Sequence, residues 1–371
     1  MRIGFNLWPY TRGQHGGAEV YLTQVIHEMI AAGPQHHYVL FGERDVLEQF
    51  PQAAAVEKVP ARILRRRPRA LRILQEQTVL PIAVLRRRLD LLVSNYVVPI
   101  AAPTRHVVVV HDMLCRRYPE TLERSKRWFW SMMLPLSISR ATHVATVSEF
   151  SASEIRHFYP SAEPKVFVTV EGVRPSLERA GESGRPDWLG DDPFVVAVVT
   201  FGKHKNLDVL ARAFAAIAAE LARLRLVLVG AARTPDAVNN RDHLRALLTD
   251  LGVAPRITFA NHVSDGALGY LYAHARCTVL PSLYEGFGLP VIEAQHFGCP
   301  VVCSDRGSLP EVAGEGATVF TAESAAALAT ALRATVADET ERARLRVAGR
   351  RNVERFSWRR AALQMLAALA D

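Results

Sequence analysis

Short apolar runs alternate with longer segments of helical periodicity along almost the whole chain. In the segment 18–31, for example, Val20, Tyr21, Val25 and Ile26 recur at helical spacing. Strands that alternate with helices predict parallel sheets that are covered by helices on both faces. We therefore expect an α/β fold whose ligands bind at the carboxyl ends of the strands. The predicted strands are residues 3–7, 38–41, 90–94, 106–110, 142–147, 166–170, 194–199, 226–229, 256–259, 275–281 and 318–320.

One segment interrupts this alternation. Residues 172–192 are polar, contain several glycines and prolines, and show no periodicity, which is typical of a linker. The 371 residues are enough for two domains of ordinary size. We predict a first domain over residues 1–175, a linker over 176–192, a second domain over 193–355 and a terminal helical segment over 356–371. The predicted helices are residues 18–31, 68–88, 125–139, 206–219, 236–251 and 265–273, a helix capped by Ser148, a helix opened by Pro290, and most of the chain beyond residue 320.

The stretch 281–310, PSLYEGFGLPVIEAQHFGCPVVCSDRGSLP, follows a predicted strand and leads through a glycine loop into a helix. Pro290 suits a first helical position and Gly298 suits a helix end. The backbone N–H groups of such a helix N-terminus can bind an anion. Glu285 in the loop and Glu293 in the predicted first turn can both face one pocket and accept hydrogen bonds from sugar hydroxyls. The alternative for Glu293 is a side chain that only complements the helix dipole.

Glycines and lysines stand at two other predicted strand-to-helix turns. Gly16 and Gly17 follow the first strand, where glycine allows the backbone to approach a ligand. Lys203 and Lys205 follow the first strand of the second domain. Two cations at the start of a helix favour phosphate binding on electrostatic grounds. The sequence therefore predicts a second group of residues for an anionic ligand.

A histidine and an aspartate follow the apolar run HVVVV. His111 and Asp112 therefore lie at the carboxyl end of a predicted strand, where ligands bind in sheets of this kind. His111 is a candidate for substrate contact. Asp112 has two interpretations, a further substrate contact or a carboxylate that only orients the imidazole.

Four segments resemble one family in that family's order. EGFGLPVIEA is similar to the paired-glutamate signature of the retaining glycosyltransferases of family 4. TVSEFSASEI (146–155), KHKNLDVLARAF (203–214) and SLPEVAG (308–314) are similar to further segments of that family. The resemblance covers nearly the whole chain. It implies the GT-B fold, in which two Rossmann-like domains with parallel sheets face one another across a cleft and a final helix crosses back to the first domain.

The resemblance also implies roles for individual residues. Glu285 would approach the donor sugar, Glu293 would hold the nucleotide ribose, Lys205 would bind the diphosphate and His111 would contact the donor sugar. The glycine loop after the first strand would lie under the donor phosphates and beside the acceptor. The resulting candidate site consists of the catalytic residues His111, Lys205 and Glu285 and the substrate-binding residues Gly16, Gly17, Asp112, Lys203, Gly286, Phe287, Gly288, Leu289 and Glu293.

One departure from the family concerns the cations. Many members have an arginine at the start of the lysine turn, where this chain has Val199 and Thr200. Either Lys203 compensates or stabilisation of the leaving group is weaker. The sequence contains no Asp-x-Asp motif, so we expect metal-independent transfer without a cofactor. The resemblance implies retention of configuration by front-face displacement, with the departing phosphate taking the acceptor proton.

The pattern HD…YP is most similar to mannosyl- and deoxyhexosyltransferases of surface polysaccharide assembly. GDP-mannose is therefore the first candidate donor, UDP-sugars remain open, and the acceptor is a hydroxyl of a glycan or a lipid-linked glycan. Two alternatives remain: a GT-B sugar-nucleotide epimerase that needs no acceptor, and a nucleic-acid-binding protein that uses the arginine runs. The basic region lacks the interleaved aromatic residues on which single-stranded nucleic acid stacks, so we expect no nucleic-acid partner.

The excess of positive over negative charge is confined to the first half of the chain. Residues 1–175 carry 23 Lys and Arg against 15 Asp and Glu, a difference of +8, whereas residues 176–371 carry 22 of each. An anionic membrane surface and a nucleic acid are the candidate acidic partners, and a solvated basic face is the alternative. Tryptophans beside basic residues in the segment 125–139 suit a membrane-interface helix or a core helix. The arginines concerned are Arg62, Arg65, Arg66, Arg67, Arg69, Arg72, Arg86, Arg87 and Arg88.

The apolar runs and the cysteines indicate where in the cell the protein is located. No apolar run approaches the roughly 20 residues of a membrane span, and the first strand is too short for a signal peptide. The cysteines lack the spacing of a zinc site or a disulfide framework. We expect a cytoplasmic protein that can contact the inner face of the membrane.

Overall fold

Parallel sheets organise the chain, one in each of two units. The computed structural model describes residues 1–10, 16–60, 69–181, 183–232 and 234–370. The first unit comprises Met1–Glu171 together with Ser357–Asp371, and the second comprises Gly172–Phe356. Of the sequence features discussed above, the loop residues 11–15 and the arginines 62 and 65–67 lie outside the described residues, as do the side chains of Arg69 and Arg72.

The sheet of the first unit has, within the described residues, seven parallel strands in the order β3-β2-β1-β4-β5-β6-β7. Its order reverses between β1 and β4, and ligands of open parallel sheets bind where the strand order reverses. The strands are β1 (Arg2–Asn6), β2 (His37–Gly42), β3 (Val56–Pro60), β4 (Leu91–Asn95), β5 (Arg105–Val109), β6 (His143–Thr146) and β7 (Val166–Val168).

The helices of the first unit cover this sheet with apolar faces. Tyr21, Val25 and Ile26 of the first helix are buried, as their spacing predicts. The last helix of the chain packs against the first helix. The helices are α1 (Gly17–Ala32), α2 (Arg44–Leu47), α3 (Arg69–Arg86), α4 (Leu114–Arg117), α5 (Arg124–Arg140), α6 (Glu149–Phe158) and α15 (Trp358–Ala370).

The sheet of the second unit has six parallel strands among the described residues, in the order β10-β9-β8-β11-β12-β13. Here the order reverses between β8 and β11. Buried side chains from its strands and helices, among them Phe214 and Ile217, form one continuous core. The strands are β8 (Phe194–Val198), β9 (Arg225–Val229), β10 (Ile257–Ala260), β11 (Thr278–Leu280), β12 (Val301–Ser304) and β13 (Ala317–Phe320).

Helices flank this second sheet as they flank the first. Pro290 lies at the second position of α11, where a proline needs no N–H partner. The helices are α7 (Pro175–Ala180), α8 (Leu207–Ala218), α9 (Pro235–Asp250), α10 (Asp265–His274), α11 (Leu289–His296), α12 (Leu309–Ala313), α13 (Ala325–Ala337) and α14 (Glu339–Val353), and short 3₁₀ turns include Lys203–Lys205.

Strands β3 and β12 and the short helices α2, α4, α7 and α12 were not predicted from the sequence. Strand β3 was not predicted, because its sequence VEKVP carries two charges and a proline; it lies at the edge of its sheet, where such residues are tolerated. The predicted linker contains the helix α7, which packs against α10 within the second unit. Six residues are too few to show helical periodicity in a glycine- and proline-rich segment.

Candidate functional site

Lys205 and Glu285 meet at the reversal of strand order in the second unit. Lys205 follows β8 and Glu285 follows β11, the two strands between which the order reverses. Lys205 Nζ donates a 2.7 Å hydrogen bond to Glu285 Oε1, which also accepts one of 2.7 Å from Ser282 Oγ. Both side chains are largely buried, with 16% and 15% of their surface exposed. The fold thus brings a cation and a carboxylate, 80 positions apart in sequence, to the edge where ligands bind.

Electrostatics keep this carboxylate ionised. Burial by itself would raise the pKa of Glu285, but the charge and hydrogen bond of Lys205, the bond from Ser282 and the nearby His204 together hold it below its usual value. Glu285 Oε2 has no hydrogen bond to any described residue, so it can accept one from a ligand hydroxyl. An ammonium group has three N–H donors, and Lys205 uses one on Glu285. The other two can bind ligand oxygens.

The three basic residues of the turn Lys203–Lys205 have different surroundings. Lys203 is exposed, whereas Lys205 points to Glu285. Burial, together with the neighbouring Lys205, lowers the pKa of His204 to about 4, so this histidine is neutral at pH 7. Thr200, which stands in place of the family's arginine, is exposed. Of the two candidate lysines, Lys205 is therefore the one in contact with the other predicted site residues.

Asn206 fixes the position of this turn. Its backbone is in the left-handed region, with φ of 55°, a conformation that asparagine tolerates better than most residues. Its Nδ2 donates to Pro281 O at 3.0 Å and to Ala322 O at 2.7 Å. The side chain thus ties the lysine turn to the loop that carries Glu285. The sequence analysis did not identify Asn206; its place directly after the lysine turn was the available signal.

Close packing shapes the glycine loop before α11. Gly288 has φ of 94°, and a Cβ there would lie 2.9 Å from Leu309. A Cβ on Gly307 would lie 2.7 Å from Glu285 N, so the two loops approach too closely for a side chain. Ser308 Oγ donates to the carbonyl oxygens of Glu285 and Phe287 at 3.1 and 2.8 Å. The loop is therefore held rigidly at the N-terminus of α11.

The other loop residues predicted to bind substrate are placed differently. The Phe287 ring is buried against Phe356, with 5.5 Å between ring centroids, so it serves the core of the unit. Gly286 and Leu289 are half-buried, and Leu289 begins α11. Leu289 supplies the first backbone N–H of α11, where a ligand anion can bind.

Glu293 lies in the second turn of α11, not in the first turn as predicted, because the helix begins at Leu289. Its carboxylate is 3% exposed and pairs with the Arg174 guanidinium: Nε donates to Oε1 and Nη2 donates to Oε2 at 3.4 Å. Tyr272 Oη donates to Oε2 at 3.3 Å. Burial and the nearby Glu293 raise the pKa of Tyr272 well above its usual value, so the phenol keeps its proton.

Arg174 was not predicted as a site residue, because it lies in the segment interpreted as a linker. A third interaction of its guanidinium goes to Asp265, with Nη1 3.2 Å from Oδ1. Arg174 therefore bridges two carboxylates, one on α10 and one on α11. An isolated arginine in a polar segment gave no signal of this role.

In the first unit, the His111 imidazole is buried at the carboxyl end of β5. Its Nδ1 lies 3.8 Å from Glu171 Oε1, and the Tyr21 ring packs edge-on at 5.0 Å between centroids. Nε2 is buried and has no hydrogen-bond partner among the described residues. Because a buried polar atom without a partner is costly, Nε2 is the atom through which this histidine can bind a ligand. Glu171 is a second residue that the sequence analysis missed.

Asp112 has a local structural contact. Its Oδ1 accepts a 3.0 Å hydrogen bond from Leu114 N and so caps the start of α4. The carboxylate that the structure places beside the imidazole is that of Glu171. Gly16 is exposed and directly precedes α1, which begins at Gly17. Both glycines thus lie at a strand-to-helix turn, as expected.

The described residues contain no group of three or more His, Cys, Asp or Glu side chains that could hold a metal ion. They also contain no helix long and apolar enough to span a membrane.

Comparison with known proteins gives consistent matches over both units. The family model Glycosyltransferase Family 4 matches residues 15–177, and the model Glycosyl transferases group 1 matches residues 182–352. The O-antigen chain mannosyltransferase B of Escherichia coli is 30% identical over 271 residues, which are 71% of this chain and 69% of that protein.

Solved structures share the fold along the whole chain. Sucrose-phosphate synthase from Thermosynechococcus elongatus superposes with a TM-score of 0.79 at 21% identity and covers 100% of this chain and 98% of its own. The Anabaena protein Alr3699/HepE, in complex with UDP and glucose, has a TM-score of 0.72 at 20% identity, with 100% and 99% coverage. At these identities the likeness is one of fold.

Proposed function

Because this chain belongs to family 4 of the glycosyltransferases and has the two-domain GT-B fold, we propose that it transfers a hexose from a nucleotide diphosphate sugar to a hydroxyl of a glycan or lipid-linked acceptor, with retention of configuration. The observation that carries the proposal is the pair of Lys205 and Glu285 at the reversal of strand order. The second unit binds the donor, and the first unit binds the acceptor.

Mannose is the proposed sugar and surface polysaccharide the proposed product. The support is the 30% identity to an O-antigen chain mannosyltransferase. GDP-mannose is accordingly the first donor to test. A UDP-sugar is the alternative, since the structural neighbour from Anabaena was solved with UDP and glucose.

In the proposed reaction, the bond between the sugar C1 and the diphosphate oxygen breaks while a bond from C1 to the acceptor oxygen forms on the same face. The acceptor proton passes to the departing phosphate oxygen, so the products are a nucleoside diphosphate and a glycoside of unchanged anomeric configuration. Glu285 Oε2 of the second unit accepts a hydrogen bond from a hydroxyl of the donor sugar. In the first unit, His111 Nε2 is the atom proposed to bind substrate.

The leaving diphosphate gains negative charge as the C1–O bond breaks. Lys205 has two N–H donors beyond the one bonded to Glu285, and the N-terminus of α11 adds backbone donors. Preorganised donors of this kind stabilise the transition state because they need no reorganisation during the reaction. We propose that these groups suffice without a metal ion.

We further propose that the first unit contacts an anionic membrane through α3 and α5. Leu74, Ile82 and Leu85 are exposed on one face of α3, and Trp128 and Met132 are exposed on α5, Trp128 by 66%. Arginines flank both stripes, including the exposed Arg86, Arg124 and Arg127. An apolar stripe between basic side chains suits insertion at the interface of an anionic bilayer.

Hydrogen bonds attach both helices to one loop. Gln77 of α3 donates to Val98 O at 2.9 Å and accepts from Ile100 N at 2.9 Å. Val98 N donates to Ser137 Oγ of α5 at 3.2 Å. Both helices therefore contact the loop that follows β4.

Identification of the donor nucleotide is the most informative test of the proposal. Thermal unfolding would be followed with GDP, UDP, ADP and dTDP; one base is expected to stabilise the protein by about 2.7 kcal/mol at a hundredfold excess over its dissociation constant. The matching sugar nucleotides would then be incubated with a polysaccharide acceptor, and proton NMR would report the anomeric configuration of the product. Product formation without any acceptor would favour an epimerase, and stabilisation by none of the nucleotides would refute the proposal.

A further inference from the structure

Arg174 directly precedes α7, and its guanidinium reaches from there to two other helices. It contacts Glu293 on α11 through Nε and Nη2 and Asp265 on α10 through Nη1. The guanidinium is a rigid fork, so its bonds to two carboxylates fix the direction in which each carboxylate points.

The hydrogen-bonding capacity of Glu293 is almost fully used. A carboxylate offers about four lone-pair positions. Arg174 occupies one on each oxygen, and Tyr272 occupies a second on Oε2. One position on Oε1 remains, so this carboxylate can accept one further hydrogen bond in a direction that its partners determine.

The charges of the cluster favour a neutral hydroxyl as this ligand. Arg174 carries one positive charge and faces the two negative charges of Glu293 and Asp265, so the group is negative overall. An anionic phosphate would be repelled, and Arg174 is already engaged by both carboxylates. Arg174 therefore does not replace the arginine that the family has before the lysine turn.

A purely stabilising role explains the arrangement poorly. A buried ion pair is often no more stabilising than apolar side chains of similar volume, because desolvation of the charges offsets their attraction. Glu293 is nearly inaccessible, whereas 26% of the Arg174 side chain is exposed. The pair thus carries a desolvation cost at a position next to the proposed donor site.

We propose that Arg174 is a positioning residue for the donor nucleotide: it holds Glu293 so that Oε1 accepts a hydrogen bond from one ribose hydroxyl. This inference rests on the proposed function, which makes a nucleoside diphosphate the ligand of this unit. The segment 172–192, which lies outside the glutamate signature, thereby contributes a residue to donor binding.

The test compares ribose with deoxyribose. Dissociation constants would be measured by calorimetry for GDP or UDP, whichever binds, and for its 2′-deoxy and 3′-deoxy counterparts. A hydrogen bond to a charged acceptor accounts for about a tenfold to hundredfold difference in affinity. The wild type is expected to show this discrimination against one of the deoxy probes, and Glu293→Ala to lose it.

Arg174→Gln is expected to reduce the discrimination to less than about threefold, with unchanged affinity for the deoxy probe that lacks the contacted hydroxyl. Arg174→Lys keeps the charge but not the fork, so it is expected to retain the fold without restoring the discrimination. A merely structural role would weaken both probes alike and would be rescued by lysine. The matched control is Arg185→Gln, which removes an arginine paired with Asp191 in the same segment.

The outcomes distinguish a failure of the proposed role of Arg174 from a failure of the proposed function. Wild-type discrimination in a folded Arg174→Gln or Arg174→Lys variant, together with its loss in Glu293→Ala, would overturn the role of Arg174 and leave the proposed function intact. If the wild type bound no nucleoside diphosphate, the proposed function would fail and this inference with it. Should Arg174→Gln not fold because Glu293 is left unpaired, Arg174→Lys, which keeps the positive charge beside Glu293, provides the measurement.

Discussion

Lys205 Nζ lies 2.7 Å from Glu285 Oε1, and the two residues follow the adjacent strands between which the order of the second sheet reverses. The parallel topology, rather than proximity in sequence, brings them together. Lys203, two positions earlier, is exposed. We therefore expect opposite effects on turnover when each of the two lysines of this turn is replaced.

Lys205→Ala should reduce turnover by roughly 10²–10³-fold, because the lysine meets charge that grows as the glycosidic bond breaks. Lys203→Ala is the matched control and should have a small effect. Turnover at saturating donor would be measured for both variants, with circular dichroism to confirm folding. Near-normal turnover of Lys205→Ala beside a loss in Lys203→Ala would show that the wrong lysine was assigned.

The sequence predicts those site residues that lie in a short segment of recognisable composition, and it does not predict residues that meet only through the fold. The glycine loop, Glu285 and Lys205 lie in short segments whose composition marks a strand-to-helix turn, so they were identified. Arg174 and Glu171 act on residues far away in sequence, Glu293 and His111, and only the fold brings them together. No local pattern could reveal those contacts.

The same reasoning applies to the fold. Apolar runs predicted most of the interior strands, because a strand buried on both faces must be apolar, although the buried strand β12 was not predicted. The edge strand β3 and the short helix α7 have no such requirement and were missed. Helical periodicity located α3 and α5, but it did not reveal that Leu85 and Trp128 are exposed, because a stripe toward solvent and a stripe toward the core have the same period.

Glu293→Ala should raise the Michaelis constant for the donor more than it lowers turnover. A ribose contact is present in the ground state and the transition state alike, so its loss weakens binding without raising the chemical barrier. Initial rates over a range of donor concentrations would measure both constants. An unchanged Michaelis constant with reduced turnover would rule out the ribose role.

Chelation should leave activity largely intact, because the proposed stabilisation of the leaving diphosphate comes from Lys205 and the N-terminus of α11. Transfer would be measured after dialysis against EDTA, with and without added Mg²⁺ or Mn²⁺. Complete loss of turnover that either ion restores would contradict a metal-independent mechanism.

Leu74→Ser/Leu85→Ser and, separately, Trp128→Ser should weaken binding to vesicles that contain anionic phospholipid, since these exposed apolar side chains can insert into the bilayer interface. Sedimentation with anionic and with neutral vesicles would measure the binding of each variant. Arg65→Gln/Arg66→Gln/Arg67→Gln tests the contribution of the arginine run in the sequence. Transfer to a soluble acceptor should stay normal in every variant. Undiminished vesicle binding in all of them would favour a solvated face.

His106 should make the stability of the first unit depend on pH. The side chain is buried, and its Nε2 lies 3.2 Å from Ala102 O. Burial, assisted by the nearby Arg140, lowers its pKa to about 4. Between the pKa of an unfolded histidine, about 6.5, and the folded value, the unfolded chain binds more protons, so stability is full above pH 6.5 and falls as the pH drops toward 4.

The loss amounts to at most about 3 kcal/mol, since each pKa unit corresponds to about 1.4 kcal/mol. His106→Gln cannot take up a proton and can still donate to Ala102 O, so its thermal unfolding midpoint should fall less than that of the wild type between pH 7.5 and pH 4.5. The exposed His262→Gln is the matched control and should behave as the wild type does. If His106→Gln and the wild type lose the same stability on acidification, protonation of other groups accounts for the pH dependence, and the buried imidazole contributes none of it.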